Sequence, residues 1–589
     1  MQPPDDRGLS FEEARARLKE RGYLDAGVEG AVLKGALAAR GRVRALLQGA
    51  AVGAALLAAA FAGVEDVLLS VSSSLSVPDA LVLFLWLLAG SLVAASLGVA
   101  VLVLLAWLRT RSRGEAEGLS TELAIAFGVL AGLGAAAAAP PALRDAGPLA
   151  AMAILVAVAF AVLVAVKVAR GVAFTVLLAA GREVRARAPH RRRWALAAAG
   201  ALFALAAALL AISRARPAPE AEPLITAANG RRALVIGVDG WSDRYGAAGL
   251  PAGAALTYDK VGERDPAAFW TSVATGEPPR RHGIGALDLV RVRGVGSPLE
   301  PSGASRWFLS RLLPALGLAR RESVTAAARR VPAMWEVARR GGIPSLVVNW
   351  WTTYPADDSG GTVLSNHLFF AARAGRPLAG EGWPPEAAER AAALAPRVAP
   401  EPGSTHRLLA DAQGLDAFAI RAFRDAKARE RPSLSLLYLP GLDILGAALS
   451  EEGRSAAERV TLATALTEEA GRIAAFLKET LTSGGEDFVV VLLDGGRREQ
   501  SGQVRLFGPL VKPGAGGAIA PLDVAPTVLS LLGVPASREL AGRVRRDLLT
   551  EGAASTATIA SWGRRRAARE LSVDPKEYVE NLKSLGYLR

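Results

Sequence analysis

The stretch Ala233-Leu-Val-Ile-Gly-Val-Asp-Gly240 decides the fold. An unbroken apolar run closed by an acidic turn reads as a buried strand that delivers a carboxylate at its carboxyl end. Ser345–Asn349, Leu434–Leu439 and Phe488–Leu493 repeat the pattern, with helical stretches between them. Buried strands alternating with helices predict an α/β domain with a mostly parallel central sheet sandwiched by helices. Such sheets gather ligands beyond the carboxyl ends of their strands. Asp239, Asp443 and Asp494 each stand just after one.

Upstream of this region the chain changes character. Of 589 residues, 51% are hydrophobic, and the excess lies in the first part of the chain. Apolar segments at 45–65, 80–108, 121–142, 148–180 and 194–213 are each long enough to cross a hydrocarbon layer of about 30 Å. Arginine clusters fall before the first, between the second and third, and between the fourth and fifth, whereas Ser70–Asp79 and Ala139–Gly147 are nearly free of basic residues. The positive-inside rule then predicts a cytoplasmic N-terminus and an external C-terminal half. Much of the net charge of +13 sits in those clusters, so it reads as topology and attraction to anionic lipid, not as a nucleic-acid footprint. The expected organisation is a cytoplasmic amphipathic leader at 1–40, a membrane region at 41–215, a stiff Pro-rich linker at 216–229, a globular domain at 230–550 and a helical tail at 551–589. The charged leader lacks the early apolar core of a cleavable signal. Because the chain has no cysteine, disulfides and thiolate metal sites are excluded.

Four further segments stand in a telling order: Phe269-Trp-Thr-Ser-Val-Ala-Thr-Gly276, Arg281-His-Gly-Ile284, Leu493-Asp-Gly-Gly496 and Leu522-Asp-Val-Ala-Pro-Thr-Val-Leu-Ser-Leu-Leu-Gly533. Together with Asp239 they resemble the alkaline phosphatase superfamily, in its type I phosphodiesterase/nucleotide pyrophosphatase-like, sulfatase-related branch, over residues 230–550. The resemblance implies two metal ions held by aspartates and histidines beside a Thr or Ser nucleophile. It assigns Asp239, Asp443 and Asp494 to metal-ligand positions. The nucleophile position falls on Pro266, which has no hydroxyl. The histidine expected four residues after Asp443 is Ala447, and the one expected after Asp494 is Gly495. The third is expected within Arg497–Arg505, yet no histidine follows His406. Of the remaining three, His282 matches a framework His-Gly-Ile, His367 lies where relatives carry a Ser-Asp pair, and His190 sits among arginines. Thr271 and Ser272 match framework positions. Trp350, Trp351 and Tyr354 read as either an aromatic cleft wall or core packing.

Three carboxylates without imidazoles make a poor zinc site, because zinc favours nitrogen and sulfur donors. They suit Mg²⁺, Mn²⁺ or Ca²⁺ better. Without a metal they repel one another, and at least one pKa rises unless an arginine intervenes; Arg497, Arg498 and Arg505 are placed for this by sequence. The favoured expectation is therefore a pseudoenzyme of the cytoplasmic (inner) membrane that binds or regulates an envelope lipid, polymer or protein. The alternatives are an active phosphoric or sulfuric ester hydrolase using Asp265 as nucleophile, and an envelope phosphotransferase.

Overall fold

The computed structural model describes residues 42–73, 75–112, 148–179, 229–242, 253–260, 265–301, 303–396, 405–497 and 499–565, with isolated positions at 122, 125, 126, 128–130, 205, 582, 586 and 587. The leader, the fifth expected span, nearly all of the third span and the linker, and most of the tail beyond 565 lie outside the described residues, as do His190 and Arg498. The chain divides into two compact units. One holds Met1–Arg216 with Val290–Arg320, and the other holds Pro217–Leu289 with Arg321–Arg589. Residues 290–320, expected inside the globular domain, thus group with the apolar helices.

In the first unit, α1 (Arg42–Ser73), α2 (Val77–Ser112) and α3 (Pro148–Ala179) are long and apolar enough to cross a membrane. They cover the first, second and fourth expected spans. Their shared core is built from Ala54, Ala58, Ala95, Ala165 and Ala169 with Val99, Leu102 and Val172. A side chain at Gly53 would begin 3.0 Å from Val168. Small residues let apolar helices approach closely where burial from water supplies no force between them. Leu81, Leu85, Val93 and Leu97 face outward from α2 and are 63–67% exposed. A helix apolar on both its packed and its outward faces has the composition of a membrane span.

The second unit carries β1 (Ala233–Asp239), β2 (Ala254–Asp259) and α4 (Pro266–Thr275). A small ribbon follows, β3 (Asp288–Val292) with β4 (Ala319–Ser323), leading into and out of the 290–320 insert and so belonging in part to the first unit. Next come β5 (Ser345–Val348), β6 (Thr362–Leu364), β7 (Gly382–Trp383), α5 (Thr405–Glu430), β8 (Leu434–Leu439), α6 (Gly441–Leu449), α7 (Ala456–Ser483), β9 (Phe488–Asp494), β10 (Ser501–Phe507), β11 (Gly516–Ala518) and α8 (Val524–Leu531). The main sheet has the order β11-β2-β10-β9-β1-β8-β5-β6-β7. Its centre, β9-β1-β8-β5-β6, is parallel throughout, while β10 and β7 run antiparallel to their neighbours. Successive residues of a strand point to opposite faces, so the fully buried strands feed two cores. Val235, Leu436, Tyr438, Val490 and Leu492 join one core with α4 and α8. Leu234, Ile236, Leu437, Leu439, Val491 and Leu493 join the other with α5, α6 and α7. The fold expected from the sequence, apolar spanning helices plus a mostly parallel sheet between helical layers, is the fold observed.

Candidate functional site

The parallel register places Asp239 directly beside Asp494, at the carboxyl ends of β1 and β9. Asp443 arrives in the first turn of α6, just beyond β8. Two turns close the gap between them. Gly240 has φ 85°, and a Cβ there would lie 2.1 Å from the Asp443 backbone nitrogen. Gly496 has φ 84°, and a Cβ there would lie 2.6 Å from Asp443 Oδ1. Only glycine fits either position. The structure therefore brings together the three aspartates read from the sequence.

What meets them is the chain's own positive charge. Lys260 Nζ donates to Asp494 Oδ1 at 2.5 Å and to the Gly496 carbonyl at 2.8 Å. Tyr258 Oη donates to Asp494 Oδ2 at 2.6 Å. Asp239 Oδ2 accepts from Tyr438 Oη at 2.7 Å and from Trp270 Nε1 at 3.0 Å. Arg497 Nε pairs with Asp443 Oδ2 at 2.8 Å, and the Arg497 backbone N–H donates to Asp443 Oδ1 at 2.9 Å. The Arg497 guanidinium lies 4.1 Å from the centre of the Tyr587 ring and donates to the Gly586 carbonyl at 2.7 Å. Gly586 and Tyr587 thus cover this side of the cluster. Of the three arginines considered from the sequence, Arg497 is in place, whereas Arg505 donates to Gln503.

Burial and mutual repulsion push Asp239 up to about 6. Burial and the charge of Asp239 do the same to Asp443, also to about 6. Burial raises Asp494 as well, opposed by the Lys260 ammonium. Burial works against the Arg497 charge, but Asp443 overcomes it and holds the guanidinium ionised. Among the described residues, no group of three or more His, Cys, Asp or Glu side chains converges closely enough to hold a metal ion.

The positions expected from the resemblance to hold a nucleophile and two histidines carry other residues. Pro266 opens α4 at its first helical turn, where proline's fixed φ suits the helix and its missing N–H costs nothing. Ala447 lies one turn beyond Asp443 on α6 and offers only a methyl. A side chain at Gly495 would begin 2.4 Å from the Cβ of Glu499, so an imidazole does not fit there. Asp265, the alternative nucleophile, is the N-cap of α4. Its two oxygens accept from the N–H groups of Ala267 at 2.9 Å and Leu287 at 2.7 Å. Burial raises its carboxyl to about 6.

The aromatic residues read as a possible cleft wall are packed inward. Trp350, Trp351 and Tyr354 are 0%, 3% and 7% exposed. Trp350 Nε1 donates to the Trp270 carbonyl, and the Trp270, Trp350 and Tyr438 rings pack against one another. His282 accepts from the Ile284 N–H at Nδ1 and lies 3.0 Å from Ser272 Oγ at Nε2; burial lowers it to about 3, so it stays neutral. His367 pairs with Glu381, to which Ser365 also donates.

Lys260 is the residue that sequence reasoning missed. On β2 and just beyond it, Ala255, Thr257 and Asp259 are exposed, while Leu256, Tyr258 and Lys260 are buried. A lysine on the apolar face of an alternating strand needs a buried carboxylate. That alternation was the available signal.

Other buried ionic clusters lie among the described residues of this unit. Glu336 accepts from Arg329 at 2.7 and 2.8 Å and from Arg565 at 2.9 Å, and Arg565 also reaches Asp357 at 3.1 Å. On α5, Asp416 accepts from the Gly441 N–H that opens α6, and it shares a hydrogen bond with Glu469 of α7, which pairs with Arg472.

No family model matches the chain, and no curated protein matches it. Solved structures to which it is similar include human ectonucleotide pyrophosphatase/phosphodiesterase 5, at 11% identity and TM-score 0.30 over 54% of this chain and 100% of that one. A 2-O GAG sulfatase matches at 12% identity and TM-score 0.33 over 54% and 74%. Phosphonoacetate hydrolase from Sinorhizobium meliloti 1021 matches at 15% identity and TM-score 0.25, over 46% of this chain and 59% of that one.

Proposed function

We propose that this chain is a catalytically silent, membrane-anchored protein of the alkaline phosphatase type, in its phosphodiesterase and sulfatase-related branch, with a binding or regulatory role in the cell envelope. The observation that carries this reading is the pairing of Lys260 with Asp494 and of Arg497 with Asp443. Fixed cations stand against the carboxylates that the sequence resemblance assigns to metals. A divalent ion there would meet an ammonium and a guanidinium, so the site does not fit a metal. The alternating basic clusters support a cytoplasmic N-terminus, placement in the cytoplasmic membrane, and an external second unit.

The test uses the full chain in nanodiscs, beside Asp239→Ala and Lys260→Met. Melting is followed with Mg²⁺, Mn²⁺, Ca²⁺ or Zn²⁺, and turnover is assayed on an aryl phosphodiester and an aryl sulfate. A ligand that binds the native state raises its melting temperature according to its concentration relative to Kd. The expected result is no metal-dependent shift and no turnover in the wild type. A shift or turnover that disappears in Asp239→Ala overturns the proposal.

A further inference from the structure

We propose that Trp307–Leu316, within the 290–320 insert, is an interfacial membrane element that rests against the lipid of the external leaflet, with Trp307 at headgroup level. The inference rests on reading α1 and α2 as membrane spans, and it assigns the insert an occupant that the anchor alone does not require.

The helices are longer than a bilayer needs. At 1.5 Å per residue, α1 and α2 extend about 48 and 54 Å, against a hydrocarbon layer of about 30 Å. Charge marks which parts are surplus. Arg42 and Arg44 on α1 and Arg109 and Arg111 on α2 define one end of the hairpin, and Glu65, Asp66 and Asp79 define the other. The insert is fastened to the acidic end. Asp79 Oδ1 accepts from the Gly296 N–H at 2.8 Å, Glu65 Oε2 from Ser305 Oγ at 2.8 Å, and Trp86 Nε1 donates to the Arg293 carbonyl at 3.1 Å. Beneath these bonds, Leu299, Leu309 and Leu313 pack with Leu69, Leu83 and Leu87.

From this latch the insert descends toward the bilayer. The Phe308 ring lies over Gly90 of α2, where even a Cβ would come within 2.8 Å of it. Gly90 is about 20 Å from the start of α2, and Glu65 is about 12 Å from the end of α1. In an antiparallel hairpin Phe308 therefore sits about 8 Å closer to the bilayer centre than Glu65. Gly90 is about 28 Å along α2 from Arg109, so a hydrocarbon layer of about 30 Å beginning at Arg109 ends near Gly90. Beside Phe308 the insert exposes Trp307, 66% accessible, and further along the same segment Leu316, 61% accessible. Arg306 and Arg311, both exposed, bracket the turn. Tryptophan and arginine are the side chains that favour the membrane–water boundary, one through its amphipathic ring and the other through lipid phosphate. The outward leucines of α2 expose apolar side chains in the same unit, and lipid is the occupant that covers both.

The absence of cysteine permits single labels without background. Trp307→Cys and Leu97→Cys, each carrying an environment-sensitive fluorophore, are compared in nanodiscs of phosphatidylethanolamine and phosphatidylglycerol doped with nitroxide lipids. Leu97 faces outward from the middle of α2 and reports on the anchor alone. The expected result is Leu97 quenched mainly by a deep nitroxide and Trp307 quenched at least twofold more strongly by a shallow nitroxide than by a deep one. Quenching at Leu97 with none at Trp307 overturns the inference about the insert and leaves the anchor standing. Quenching at neither position overturns both.

Discussion

The Glu336 cluster and the Asp239/Asp443/Asp494 cluster are both buried and ionic, but they are balanced differently. Around Glu336, two carboxylates (Glu336 and Asp357) face two guanidiniums (Arg329 and Arg565). Burial alone would raise Glu336, but the two arginines outweigh it and hold the carboxyl down at about 2. At the sheet ends, three carboxylates share one ammonium and one guanidinium, and two of them are pushed up to about 6. The first cluster is a saturated structural tie. The second is under-compensated, with one more carboxylate than it has cations. A buried ion pair is weak evidence for stability until its partners are counted.

The largest expected effect is on the balanced cluster. Glu336→Ala leaves the buried Arg329 without a carboxylate and Arg565 with Asp357 alone, and should cost about 3–5 kcal/mol, read as a collapse of the denaturant midpoint. Lys260→Met should cost less, about 1–3 kcal/mol, because Asp494 can take up a proton once its partner is gone. Adding Asp494→Asn to Lys260→Met should recover most of that loss. Equal losses for Glu336→Ala and Lys260→Met would erase the distinction between the clusters. The all-carboxyl pair Asp416–Glu469 sharpens it further. Burial raises both groups, Glu469 to about 7, and the Glu469 charge adds to the effect on Asp416. A carboxyl raised in the folded state contributes stability that is present below its unfolded pKa, near 4.5, and is lost as pH climbs through the folded value near 7. Wild-type stability should therefore fall between those limits, and Glu469→Gln should flatten the slope in a urea titration series. The smallest effect belongs to Tyr587→Ala, which removes a ring from the Arg497 guanidinium and should lower stability by about 1 kcal/mol.

The central sheet was readable because each buried strand is a continuous apolar run, and Asp239 and Asp494 end two such runs at the same level. Asp443 was readable for the same reason, one turn beyond a third run. Lys260 was not, because β2 is short and half exposed, and its partner lies far along the chain on a strand reached through β10. The burial of Trp350, Trp351 and Tyr354 was undecidable for a related reason. An aromatic residue after a strand serves a cleft or a core equally well, and Trp270 and Tyr438, distant in sequence, make it core here. The 290–320 insert resembled an ordinary connection, since nothing local shows that Gly296 and Ser305 meet Asp79 and Glu65.

Lys260 also bears on ancestry. If the proposed reading holds, a descendant that regained a hydroxyl at Pro266 and an imidazole at Ala447 would still carry a fixed positive charge where an ion must enter. Two unit charges about 4 Å apart near a protein surface repel by about 4 kcal/mol, and a divalent ion doubles that. Removing Lys260 first would expose Asp494 and lower stability before any benefit accrued. The route back to chemistry thus crosses a fitness valley, which would make the loss of catalysis a one-way step.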